Sequence, residues 1–202
     1  MARRANLKQS TGNNLAVIAA AMGVRKQLAN PWLNRFAWVT AAATLVLICS
    51  GGMVTSKNAG LAVPDWPTTF GYNMFLFPAS KWVGGILFEH THRLIASTVG
   101  FLTLILAGWI WRAEPRRWVR MLALAAVGAV IFQGILGGIR VTLLKDEIGI
   151  FHACLAQAFF GLLVLIALSR SRVWHDASSL RSDSAKSEIG RASCRERVLL
   201  GV

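Results

Sequence analysis

Four long apolar runs, separated by short polar or proline-rich breaks, dominate the chain: approximately Phe36–Val54, Gly84–Trp111, Trp118–Leu144 and Ile148–Leu168. Each is close to the roughly 20 helical residues that cross a hydrocarbon core about 30 Å thick, so the pattern predicts four transmembrane helices. Short links make consecutive helices antiparallel neighbours, and the expected fold is an all-α integral membrane protein, an antiparallel four-helix transmembrane bundle. The domain reading is a basic N-terminal segment over 1–35, the bundle over 36–168 and a polar tail over 169–202.

Composition agrees with the pattern: 54% of the 202 residues are hydrophobic and only 15% charged, a poor match to a soluble domain. The net charge of +13 would suit a nucleic-acid partner, but its placement argues against one. Residues 1–35 carry Arg3, Arg4, Lys8, Arg25, Lys26 and Arg35 without any acid, and the second link adds Arg112, Arg116, Arg117 and Arg120. The 55–83 loop and the 140–147 link hold only Lys57, Lys81, Arg140 and Lys145, partly offset by Asp65, Asp146 and Glu147. The positive-inside rule then places both termini in the cytoplasm and these two connections outside, in a bacterial cell membrane, with a mitochondrial inner membrane as the second address.

Leu15–Val24 is an apolar run too short to span, suited to an interfacial helix, a signal-peptide core or a transit peptide. Cys49 and Cys154 fall within spans and Cys194 in the tail, so no disulfide is expected. The tail lacks the periodicity of a buried face and reads as disordered, with 188–202 as a candidate foreign junction. The 55–83 loop is rich in Pro, Trp and Phe, which suits an interfacial aromatic belt, a cap over the outer helix ends, or both.

Ionisable groups inside a span are costly and point to function. "EHTHR" at 89–93 opens the second span with four ionisable residues in five. Glu89, His92 and Arg93 share a helical face at i, i+3 and i+4, while His90 points elsewhere and suits structure or an interface. A column of small residues, Ala96, Gly100, Thr103 and Ala107, continues the His92 face, leaving room for a flat group or serving helix packing. The fourth span carries His152 about one turn inside its outer end. The second and fourth spans run in the same direction, so His92 and His152 are expected at similar depth. Two facing imidazoles on different helices suit the axial positions of a haem iron. Arg93 and Arg140 could snorkel to headgroups or pair with haem propionates. Gln133 is a further polar candidate for holding the cofactor, on the third span, where Gly134, Gly137 and Gly138 are accounted for by helix packing through a GxxxG spacing. Glu89 either pairs with Arg93 or serves as a catalytic carboxylate.

"GGMVTSKNAGLAVPDWPTTFG", "EHTHRLIASTVG", "QGILGGIRV" and "HACLAQAFFG", in that order, resemble the first half of haem A synthase, over about residues 36–168. The resemblance implies an enzyme that oxidises a methyl group of haem O to the formyl group of haem A by successive hydroxylations. It implies an eight-span family architecture in two four-helix halves, each with a histidine pair, one half for the substrate haem and the other for haem B. Glu89 and Arg93 match the family's Glu-x-x-His-Arg motif, with His92 and His152 as metal ligands for haem O and haem B expected in a second half not present in 202 residues. Implied partners are membrane lipid, haem O synthase and the cytochrome oxidase assembly machinery, with a dimer of bundles as one way to restore two haem sites. The alternatives are a bis-histidine cytochrome that carries electrons and half of a proton-coupled transporter. The 55–83 loop lacks the cysteine pair of some bacterial members, which sets the chain nearer the mitochondrial and proteobacterial-like branch.

Overall fold

The computed structural model describes residues 30–143, 146–171 and 174. The expectations for Leu15–Val24, for the order of the tail and for residues 188–202 fall outside them. The described residues form four long helices: α1 (Pro31–Ser56), α2 (Gly84–Ala113), α3 (Arg117–Leu143) and α4 (Asp146–Ser169). At 1.5 Å per residue they are about 36–45 Å long, and all four are long and apolar enough to cross a membrane. The described residues contain no strand; Thr69 and Tyr72 form an isolated antiparallel bridge.

α1 begins five residues before the predicted span. Asn30 accepts from the amides of Trp32 and Leu33 through its side chain, and Pro31 occupies the first helical turn, where its missing N–H costs nothing. Within the spans, Thr40, Thr44 and Thr103 return their hydroxyl protons to the carbonyls of Phe36, Thr40 and Val99, which satisfies polar groups that lipid could not.

Contacts run around a ring: α1 with α2, α2 with α3, α3 with α4 and α4 back to α1. The apolar core fills only one half of this ring. It joins Leu33, Ala37 and Ala41 of α1 to Val99, Leu106 and Ile110 of α2, Val119, Ala123 and Ala126 of α3, and Phe159, Leu163 and Ile166 of α4. These are the first half of α1 and α3 and the second half of α2 and α4, hence one end of an antiparallel bundle. The opposite end carries His92 and His152. In the small-residue column on α2, Thr103 is buried and Ala107 lies against the core, as packing requires, whereas a Cβ on Gly100 would meet only Val130, at 3.9 Å.

The 57–83 connection folds over the histidine end, with two short 3₁₀ turns at Met74–Leu76 and Ala79–Lys81. Asp65 organises its tip by accepting from the amides of Phe70 and Gly71 and from the Thr68 hydroxyl. These bonds hold Phe70 at φ 51°, a left-handed conformation that a bulky residue enters only under constraint.

Candidate functional site: two imidazoles beneath a strapped loop

Glu89 and Arg93, one turn apart on α2, tie the loop to the bundle. Arg93 Nη2 donates to Glu89 Oε1 at 2.6 Å and to the Val63 carbonyl at 2.8 Å, while Nη1 donates to the carbonyls of Asp65 (2.7 Å) and Thr68 (3.1 Å). Glu89 Oε2 accepts from the Val63 amide at 2.9 Å, and the residue is only 3% exposed. Each terminal nitrogen of Arg93 thus uses both of its N–H groups on the loop and Glu89. The sequence had suggested a propionate or headgroup contact; the loop carbonyls turn inward and take that place. Charge-assisted bonds of this kind are the strong ones, and burial raises the cost of breaking any of them.

His90 points away from this face, as its helical position predicts. It is fully buried, with ring centroids 4.7 Å from Trp82 and 5.1 Å from Phe77, and Nδ1 lies 3.3 Å from the Thr69 hydroxyl. These contacts belong to the loop, so His90 serves as its anchor.

His92 turns towards α1. Its Nδ1 lies 2.9 Å from Ser50 Oγ, and its ring faces Gly51 so closely that an added Cβ there would sit 3.1 Å from Cε1. His152 repeats the arrangement on the other side of the ring, against Gly137 of α3, where an added Cβ would lie 3.5 Å from Cε1. The buried Nδ1 of His152 has no hydrogen-bond partner. The imidazoles are within electrostatic range of each other, and Arg140 is within range of both. The Arg140 guanidinium runs between Gly60 of the loop and Gly149 of α4: a Cβ on Gly60 would stand 2.6 Å from Nη2, and one on Gly149 2.9 Å from Nε. Gln133 is buried on α3 and donates from Nε2 to the His152 carbonyl at 3.1 Å, leaving Oε1 without a partner.

The glycines of "QGILGGIR" have a different purpose from the one their spacing suggests. Gly137 makes room for the His152 ring, and Gly138 seats Trp66 of the loop, whose Cδ2 would be 2.6 Å from an added Cβ. Gly134 has nothing within 4 Å of its Cβ position. Sequence reasoning passed over Ser50, Gly51 and Glu114, and read Trp66 only as part of the aromatic loop, without its seat on α3. Gly51 had a signal in the Gly-Gly pair of α1, which matches the pair in α3; Ser50, one turn from no other polar residue, had none.

Among the described residues, no three His, Cys, Asp or Glu side chains gather closely enough to hold a bare metal ion. Two imidazoles alone suit a metal whose remaining positions are already filled, as in a metalloporphyrin. The close seating of the two rings against Gly51 and Gly137, where a side chain would crowd them, and the Ser50 bond to His92 Nδ1, which leaves Nε2 as the candidate donor, fit that use.

The opposite end of the bundle has its own polar cluster. Glu114, fully buried in the α2–α3 link, pairs with Arg116 at 2.7 Å and with Arg170 beyond α4, while Arg120 donates to its carbonyl at 2.6 Å. Burial raises the Glu114 carboxyl, but the bonds from Arg116 and the charge of Arg170 outweigh it and hold the group below its ordinary value.

Comparison with known proteins converges on one family. Residues 34–195 match the family described as cytochrome oxidase assembly protein. The chain is 33% identical over 137 residues to the haem A synthase of Shouchella clausii, covering 66% of this chain and 44% of that protein. It is also 33% identical over 141 residues to that of Brucella anthropi (66% and 38%) and 31% identical over 129 residues to that of Halalkalibacterium halodurans (63% and 40%). The chain therefore spans less than half the length of these relatives. No solved structure matches it.

Proposed function

The chain belongs to the cytochrome oxidase assembly protein family, and from that premise we propose that it is the substrate-haem half of a haem A synthase, oxidising a methyl group of haem O to a formyl group. The observation that carries this reading is the imidazole pair on α2 and α4, each ring set against a glycine of the neighbouring helix and within electrostatic range of the other. In this reading His92 and His152 would hold the iron of the substrate haem. Arg140, in reach of both rings, holds a propionate, and Gln133 keeps α4 in register through the His152 carbonyl. The loop strapped by Arg93 excludes water from the outer face. Glu89 supplies fixed negative charge one turn from His92, where it stabilises positive charge developing at the methyl carbon. Haem B, held by a second histidine pair in a second four-helix half, supplies redox chemistry to the complete enzyme. The termini face the cytoplasm of a bacterial cell, and haem O synthase and the oxidase assembly machinery are the partners.

One observation favours an electron-carrying cytochrome instead: both Glu89 oxygens are engaged by Arg93 and Val63, as a purely structural carboxylate would be. Expression of the chain beside a source of haem O and the carboxy-terminal half of a full-length relative, which would supply the haem B site, followed by haem extraction, separates the two. The synthase reading expects haem A or its hydroxylated precursor from the wild type, and retained haem without product from Glu89→Gln. Recovery of haem O alone from the wild type would leave the cytochrome.

A further inference from the structure

Ser50 carries a proton-counting constraint. Its Oγ lies 2.9 Å from the Leu47 carbonyl and 2.9 Å from His92 Nδ1, yet a hydroxyl has a single proton to donate. If Nδ1 were bare, two acceptors would compete for that proton, and one contact would set lone pair against lone pair. If Nδ1 carries a proton, Ser50 donates to Leu47 and His92 donates to Ser50, with the Leu47 carbonyl also in reach of the ring, and both Ser50 contacts are hydrogen bonds. The second arrangement is favoured in lipid, where an unmade bond finds no water.

We propose that Ser50 is a positioning residue that fixes His92 as the Nδ1–H tautomer, aiming the Nε2 lone pair into the bundle as the firmer of two unequal metal ligands. A hydrogen-bonded Nδ1–H also makes an imidazole a better donor to a metal. His152 has weaker support: its buried Nδ1 makes no well-aligned hydrogen bond, although the Gln133 carbonyl lies within reach of the ring. The pair is therefore built asymmetrically: a ring bound between them is held by His92 and exchanged at His152. This use of the tautomer rests on the proposed haem site, whereas the tautomer itself does not.

The test has two arms, both on the full chain in detergent. Nitrogen NMR of histidine-labelled protein without haem, with His92 assigned from the His92→Ala spectrum, reads the tautomer directly. The expected result is Nδ1–H in the wild type, a shift to Nε2–H in Ser50→Ala, and a return to Nδ1–H in Ser50→Thr. Ser50 also lines an apolar cleft of about 280 Å³ with Met53, Leu87, Phe88 and Thr91, so the threonine methyl has space. The second arm titrates haem: Ser50→Ala is expected to bind about 10- to 100-fold more weakly, with a more positive midpoint potential, and Ser50→Thr to recover both. An Nε2–H signal from wild-type His92, or a Ser50→Ala protein with unchanged tautomer, affinity and potential, overturns the proposal. Failure of the wild type to bind any haem would instead sink the proposed function, leaving the first arm to decide the tautomer.

Discussion

Trp66 lies where it does because Gly138 has no side chain. A Cβ at that position would stand 2.6 Å from the indole, so Gly138→Ala must lift the tryptophan off α3. Overpacking of this size costs about 1–3 kcal/mol, and we expect a lower thermal midpoint together with faster proteolysis of the loop; an unchanged midpoint would mean that Trp66 does not fasten the loop. At this scale the sequence was legible where chemistry is costly. Histidines 60 positions apart on parallel-running helices were expected at similar depth, and the fold brings them within electrostatic range of each other. It was illegible where a residue's meaning depends on what the loop brings. The spacing of Gly134 and Gly138 matches a helix-packing motif, and nothing local reveals that Trp66 rather than a helix occupies the second position. Arg93 likewise reads as an anchor for an anion until the carbonyls of Val63, Asp65 and Thr68 are seen to surround it.

Helices were easier to foresee than connections. Apolar length specified all four spans, and the early start of α1 at Pro31 could have been read from the Asn-Pro cap signature. The loop over 57–83 was recognisable as irregular and aromatic, but its anchoring to α2 and α3 arises from contacts distant in sequence. Its tip depends on one carboxylate. Burial pulls Asp65 upward, yet the Gly71 amide, the Thr68 hydroxyl and the Phe70 amide outweigh it and hold the pKa below the ordinary 3.8. A depressed folded pKa contributes stability that is complete above the unfolded value and is lost as pH falls through the folded one. Hydrogen exchange at the Phe70 and Gly71 amides should therefore stay protected from neutral pH down to about 4 and lose protection below it. Asp65→Asn should lack this acid step; a wild-type loop that opens well above that range would point to another titrating group.

The molecule as a whole divides its labour along the membrane normal. One half of the ring is packed with apolar side chains and closed by the buried Glu114 cluster, which gives a rigid base. The other half gives up packing to two imidazoles, an arginine and a strapped loop. Thr103 and Ala107 of the small column on α2 lie in the apolar half, below the histidines, and serve its packing. Every residue of the proposed site comes from α1 to α4 and the first loop. The most direct test is the absorption and electron paramagnetic resonance spectrum of the purified full chain reconstituted with haem O, alongside His92→Ala and His152→Ala. The account predicts a six-coordinate low-spin iron in the wild type and a five-coordinate or high-spin iron in either variant, with retention weaker in His92→Ala. Absence of a Soret band, or a low-spin spectrum that survives the loss of His152, would contradict it.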